Sequence, residues 1–328
     1  MTTEEEKPVI STATATALSV AFTLIYVIPF YLSRSTRPSP TLNRDAPSVI
    51  RARIRTVTLA CIAASAATFY LLVVTAKLTP VDALHFMGWW PVQLTDVVKC
   101  CALTFLLFLG PLFEKLFVEG RLGDLRRGRK IVETLKSWQG YRNYVAGPIT
   151  EEVIFRSVLV PVHLLAKVSS TKIVFLTPLY FGIAHVHHFY EFILTHPHTP
   201  LLPALLRSVF QFGYTTLFGW IADFIYLRTG SIYACILIHT FCNWVGLPRF
   251  WGRVQRREEY PLSPIAIRGK DDTDAIQANG RGGPQDLKLT VAYYVLLLTG
   301  AYSFYAGLWP LTASSLALAD FEGKKVHL

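Results

Sequence analysis

Long apolar stretches, separated by short polar ones, set the plan of this chain. Eight of them recur, at about 10–32, 57–78, 93–113, 144–166, 172–190, 203–226, 231–247 and 289–310. Crossing a bilayer takes roughly 20 residues at a rise of about 1.5 Å each, and most of these stretches reach that length. The pattern predicts an all-α, polytopic membrane protein of about eight transmembrane helices. The shortest stretches, 172–190 and 231–247, are also two of those that carry polar motifs. No small-residue cleavage signal follows the first stretch, which is long for a signal segment, so it reads as a true helix. Segment 113–142 mixes charges with Leu, Phe, Val and Ile at helical spacing, which predicts an interfacial amphipathic helix. A segment at about 253–287, rich in Pro, Gly, Asp and Asn, reads as a flexible loop. No internal repeat or boundary divides residues 1–328, so the expectation is a single integral-membrane domain.

Composition agrees with a bilayer as the main solvent. The chain is 52% hydrophobic, only 16% charged, and its mean hydropathy is +0.37. Charge then gives the orientation. Of 32 Lys and Arg, six lie in 33–55, eight in 113–142 and eight in 248–288, whereas 79–92 has none. Eight alternating spans put the three basic segments on one side, which the positive-inside rule makes cytosolic. The net charge of +10 is explained by this topology, and nucleic acid binding has no support. Five cysteines all fall in predicted spans without a CxxC pair and read as small buried residues.

Three polar clusters interrupt the apolar stretches. They are Glu151-Glu152-Val153-Ile154-Phe155-Arg156, Phe181-Gly182-Ile183-Ala184-His185 and His239-Thr240-Phe241-Cys242-Asn243. An ionisable residue inside a membrane is costly and by default marks function. The topology, assigned from charge alone, puts all three clusters at one depth. Glu151 lies about 10 Å in from the cytosolic side, His185 about 8 Å, His239 about 12 Å and Asn243 about 6 Å. A carboxylate, two imidazoles and an amide therefore meet in one layer, around a cavity open to the cytosol.

Helical spacing sorts their faces. Glu152 and Arg156 are i,i+4 and neutralise one another, which leaves Glu151 without a local partner. A carboxylate poised in a low-dielectric cavity suits a general base. His239 and Asn243 are also i,i+4 and can point two donors at one developing negative charge, as an oxyanion hole requires. His185, on another helix, can hold a water against Glu151. Each residue also has a bland reading: the Glu–Arg pair as structural glue, a lone His or Asn as an interhelical hydrogen bond. His187, His188, His196 and His198 fall at or beyond the cytosolic end and mostly read as solvated or interfacial, though His188 shares a face with His185 (i,i+3), while Phe189 and Tyr190 are placed to line a lipid groove. Zinc proteolysis lacks the HExxH motif. A cysteine mechanism would use Cys242 with His239, but an apolar helix interior does not favour the thiolate. A glutamate-activated water needs only groups already at hand, and no metal or other cofactor.

The ordered set Glu151-Glu152-x3-Arg156, Phe181-x3-His185 and His239-x3-Asn243, within 147–247, resembles the type II CAAX prenyl endopeptidases, the Ras-converting enzyme branch of the CAAX protease and bacteriocin-processing family. The span number and the run His185-Val186-His187-His188 look like the eukaryotic branch. The resemblance implies a glutamate-dependent intramembrane protease of the endoplasmic reticulum, its active site facing the cytosol. Its substrates would be farnesylated or geranylgeranylated CAAX proteins of the small GTPase type, from which it removes the last three residues. It implies Glu151 as the base that activates water with His185, and His239 and Asn243 as stabilisers of the oxyanion. Glu152 and Arg156 take supporting positions, without a required metal. Membrane lipid is the other implied partner; the oligomeric state is not implied. Two competing classes are a transporter with a Glu/His proton or ion path, and a non-catalytic binder of prenylated tails. Against the first, the polar residues gather in the cytosolic half and no Gly/Pro-broken repeats occur; the second would tolerate loss of Glu151.

Overall fold

In the computed structural model, residues 7–39, 44–255 and 284–321 are described. Among them the regular structure is helical, without strands, as a bilayer solvent demands of a chain that must bond its own backbone groups. The chain divides into two compact units, one of residues 1–102, 133–244 and 308–328, the other of residues 103–132 and 245–307.

Every candidate residue lies in the first unit. Its helices include α1 (Thr12–Val27), α2 (Pro47–Tyr70), α3 (Gly147–Glu152), α4 (Leu159–Leu165), α5 (Ser170–Ala184), α6 (His187–Thr195), α7 (Leu201–Thr229) and α8 (Ile232–Val245). At the centre is the run from Trp138 to Leu165, in which α3 and α4 alternate with wider i→i+5 turns at Arg142–Ala146 and Val153–Val158. Residues Glu152 to His163 are all buried, so this run is enclosed on every side. Around it, Phe22, Tyr26 and Phe30 of the first helical span, Val57 and Cys61 of α2, and Phe181 of α5 form one apolar core. A second core joins Val160 to Ile173 and Val174 of α5, Ile225 and Tyr226 of α7, and Cys235 and Ile238 of α8. Wide turns of this kind add a residue to a helical turn and recur at functional sites; here they flank the two glutamates on both sides.

Helices α5 and α7 approach closely because glycine faces the crossing on each. A Cβ on Gly182 would stand 2.3 Å from Thr216 Oγ1, and one on Gly219 would stand 2.5 Å from Pro178 Cβ and 3.2 Å from Arg156 Nη2. Gly219→Ala is therefore expected to destabilise the protein by about 1–3 kcal/mol through overpacking. Thermal unfolding in detergent measures this, and an unshifted midpoint would contradict the close crossing.

Among the described residues, length and composition qualify three helical stretches as spans: Thr12–Leu32, Pro47–Thr75 and Asp286–Leu311; the pair Leu94–Leu107 and Leu109–Val118, which meet at 78°, makes a fourth if it is one broken span. The remaining stretches expected from the sequence are helical but depart from simple spans. The stretch 172–190 breaks at His185–Val186, where the His185 N–H turns back to Gly182 O at 3.0 Å. The stretch 231–247 is the 14-residue α8, too short for a hydrocarbon layer of about 30 Å. The 29-residue α7 is long enough but carries Arg207, Asp223 and Arg228. Segment 113–142 is not one amphipathic helix. It is cut at Gly120 and Gly128, whose φ values of +71° and +65° suit glycine and end a helical run. What remains amphipathic is Arg129–Lys136, which buries no residue and exposes Ile131, Val132 and Leu135. Most of the loop expected at 253–287 lies outside the described residues.

In the second unit, Asp286–Leu311 presents Tyr293 and Leu297, which pack with Val118 and Val254. Arg249 donates to Glu114 Oε1 at 2.7 Å there, and the Tyr293 hydroxyl accepts the Arg249 N–H at 2.6 Å. Of the cysteines, Cys61, Cys100 and Cys235 are buried, and Cys101 and Cys242 are half-buried.

Candidate active site

A cavity of about 380 Å³ opens in the first unit, and Glu151, His185 and Asn243 line it together. They come from three separate elements: α3, the turn that closes α5, and α8. His239 is not on the wall. It is buried one layer behind, between the two glutamates, with Nδ1 2.6 Å from Glu152 Oε1 and Nε2 3.6 Å from Glu151 Oε2. The four expected residues therefore converge, but not with the partners that spacing suggests. Glu151 is not isolated, because α8 delivers an imidazole to it. His239 and Asn243 do not act as a bare pair of donors. His239 is engaged by carboxylates, and Asn243 Nδ2 already donates one hydrogen to Asn143 O at 3.0 Å. An amide nitrogen carries two hydrogens, so one remains for the cavity.

Behind the wall is a fully buried ion cluster. Arg156 donates from Nη1 to Glu152 Oε1 and from Nε to Asp223 Oδ1, both at 3.1 Å, and each of the three side chains is at most 1% exposed. Thr177 Oγ1 donates to the other Asp223 oxygen. The guanidinium also lies beside two rings, 4.8 Å from the Phe181 centroid and 5.6 Å from that of Phe218. One guanidinium thus holds two carboxylates, and one of these in turn aims His239. A carboxylate only accepts, so the Nδ1–H of His239 points at Glu152 and Nε2 is left facing Glu151. His185 is oriented in the same manner: its Nδ1–H donates to Phe181 O at 2.8 Å, which leaves Nε2 free to accept. It makes no hydrogen bond to Glu151 among the described residues.

Asp223 escaped the sequence reading. The signal was available, since an acid within the apolar stretch 203–226 should have been treated like Glu151. His187 and His188, expected at the solvated rim, line the cavity instead, because the chain turns at His185 and starts α6 back along the wall. Phe189 and Tyr190 do not line it; Tyr26 and Phe30 do. Three arginines from the basic segments, Arg44, Arg53 and Arg142, also belong to the wall. Beneath them the buried Glu191 on α6 forms an ion pair with Arg53 Nη2 at 2.5 Å and accepts from His188 Nδ1 at 3.1 Å and Arg44 Nη1 at 3.4 Å. Burial alone would raise the Glu191 pKa, but the His188 hydrogen bond and the Arg53 charge outweigh it and hold the carboxyl well below the usual range. His187, His188 and Glu191 bring ligand atoms within 4.8 Å of one another. Two guanidiniums already occupy that carboxylate and repel a cation, so the group is better read as an ion-pair node than as a metal site.

The family profile described as Type II CAAX prenyl endopeptidase Rce1-like matches residues 133–245. A probable CAAX prenyl protease 2 of Schizosaccharomyces pombe is 33% identical over 313 residues, 95% of this chain and 98% of that protein. The CAAX prenyl protease 2 of Arabidopsis thaliana is 30% identical over 262 residues, 73% of this chain and 81% of that protein. The human CAAX prenyl protease 2 is 31% identical over 249 residues, 72% of each chain. No solved structure matches.

Proposed function

The chain belongs to the type II CAAX prenyl endopeptidase family, and on that premise we propose how its cavity performs the reaction. The protein is a membrane protease that removes the C-terminal aaX tripeptide from prenylated CAAX proteins. Glu151 takes a proton from a water that also donates to Nε2 of His185. The hydroxide oxygen bonds to the carbonyl carbon between the prenylated cysteine and the first aliphatic residue. The carbonyl electron pair moves onto oxygen, where the remaining N–H of Asn243 stabilises it, together with His239 in the form that carries hydrogen on both ring nitrogens. Collapse of this intermediate breaks the C–N bond, and Glu151 returns its proton to the leaving amine. The products are a prenyl-cysteine carboxylate and a free tripeptide.

The observation that carries this reading is the convergence on one cavity of Glu151, His185 and Asn243, with His239 fixed behind them by Glu152. The buried Arg156 cluster supports it, because it fixes the tautomer and angle of His239 before substrate arrives. The three arginines on the same wall support a cytosolic mouth, since they belong to the basic segments that the positive-inside rule retains in the cytosol. On this reading the enzyme sits in the endoplasmic reticulum membrane, where a farnesyl or geranylgeranyl chain partitions into lipid while the tail enters from the cytosol.

The test is incubation of the purified protein with a prenylated CAAX peptide. Release of the tripeptide is expected, and intact peptide after prolonged incubation would overturn the reading. Asn243→Ala is expected to lower kcat by about 10²–10³ with KM nearly unchanged, because one oxyanion donor acts only in the transition state. A raised KM with intact kcat would instead make Asn243 a substrate-positioning residue. Cys242 makes no hydrogen bond among the described residues. Cys242→Ala is expected to keep its activity; total loss in a folded variant, with a covalent adduct on the wild-type thiol, would favour a cysteine nucleophile.

A further inference from the structure

Three guanidiniums on the cavity wall serve no step of the hydrolysis described above. Arg53 is the anchored one. It is bonded to Glu191 at 2.5 Å and to Thr36 O at 3.0 Å, lies 5.3 Å from the Phe30 ring centroid, and has a side chain only 12% exposed. Arg142 holds Asp45 Oδ1 at 2.7 Å. Arg44 has the loosest tether, among the described residues a single 3.4 Å ion pair, to Glu191, and its side chain is 41% exposed. Burial lowers the Arg44 pKa and the neighbouring Arg142 and Arg53 lower it further, while Glu191 and Asp45 oppose them; the guanidinium remains charged at neutral pH. Among the described residues, three positive charges thus share two carboxylates, Asp45 and Glu191, which leaves one positive charge in excess at this end of the cavity.

Resting on the function proposed above, we infer that Arg44 and Arg142 bind the C-terminal carboxylate of the substrate and so set the cleavage register three residues from the end of the chain. The excess charge matches the single negative charge of a CAAX terminus. A guanidinium suits a carboxylate because its planar fork offers paired N–H donors. The distance also fits. Arg142 precedes Glu151 by nine residues along one helical run, which rises about 1.5 Å per residue, or roughly 13 Å in all. Three extended residues between the scissile carbonyl and the terminal carboxylate span roughly 10–11 Å. With Glu151 at one end and the arginines at the other, a longer tail would have to buckle and a shorter one would not reach. Arg53 and Glu191 form the floor that holds Arg44 in place.

The test uses the full-length protein and two prenylated peptides identical except for the terminus, a free carboxylate in one and a carboxamide in the other. Wild type is expected to prefer the carboxylate by roughly 10- to 100-fold in kcat/KM, the range for a hydrogen bond to a charged group, and mainly through KM. In Arg44→Gln and in Arg142→Gln that preference collapses, because the carboxylate peptide loses more than the carboxamide peptide does. A merely structural role would depress both peptides in parallel and overturn the inference. Equal cleavage of the two peptides by wild type would overturn the clamp and leave the protease assignment standing. Cleavage of neither would overturn both.

Discussion

Glu151→Gln is expected to fold as the wild type does and to release no measurable tripeptide from a prenylated CAAX peptide. Gln keeps the shape of the side chain and its place on the cavity wall, but it cannot accept the proton of water at neutral pH. Loss of a general base typically costs about 10²–10⁴ in rate, and here the same group must also protonate the leaving amine. The structure sharpens the expectation, because His239 Nε2 lies 3.6 Å from Glu151 Oε2. The amide removes one charge from a site built from two carboxylates around one imidazole, so the variant should still bind the prenylated peptide. Turnover near the wild-type rate in a folded Glu151→Gln protein would eliminate the general-base assignment. Loss of binding together with turnover would shift Glu151 to substrate positioning.

The second large effect is on the fold. Arg156→Leu removes the only cation that Glu152 and Asp223 contact directly among the described residues, leaving two carboxylates in a region where each is at most 1% exposed. Stripping one partner from a buried ion pair costs about 3–5 kcal/mol, and two carboxylates that both lose their guanidinium, keeping only the His239 and Thr177 hydrogen bonds, put this variant at the upper end. A large drop in unfolding temperature in detergent, or failure to accumulate, is the expected result. Adding Glu152→Gln and Asp223→Asn should recover much of the stability, because the uncompensated charges are then gone. The triple variant should remain inactive, since the carboxylate that orients His239 through Nδ1 is gone as well. A single Arg156→Leu variant as stable as wild type would mean that the cluster is not desolvated as described.

Much of this protein was legible in its residues because a bilayer makes strong demands on a sequence. Apolar stretches must be helical to satisfy their own backbone, so the all-α class followed from pattern alone. Ionisable and amide groups in such stretches are conspicuous, so Glu151, Glu152, Arg156, His185, His239 and Asn243 stand out in the sequence alone. The i,i+4 rule correctly paired Glu152 with Arg156, which stand 3.1 Å apart even though the turn between them is widened. Local geometry is short-range, and a rule of helical spacing reads it well.

Tertiary structure decided what spacing along one helix cannot reach. Periodicity left Glu151 unpaired, but α8 brings His239 to it from 88 positions away in the chain (239 − 151). Asp223 reaches Arg156 from 67 positions away, on a helix whose Gly219 lets it pass close, since a Cβ there would stand 3.2 Å from Arg156 Nη2. The break at His185 turns α6 back along the cavity, so that His187, His188 and Glu191 meet arginines from the basic segments. In the sequence those segments carry only a topology signal, because charge bias counts residues and holds no side-chain direction. The residue types, their helical state and their nearest helical neighbours were therefore determined by the sequence itself. Which carboxylate faces which imidazole, and which arginines face the cavity, depends on helix crossings and kinks whose energies come from contacts far apart in the chain.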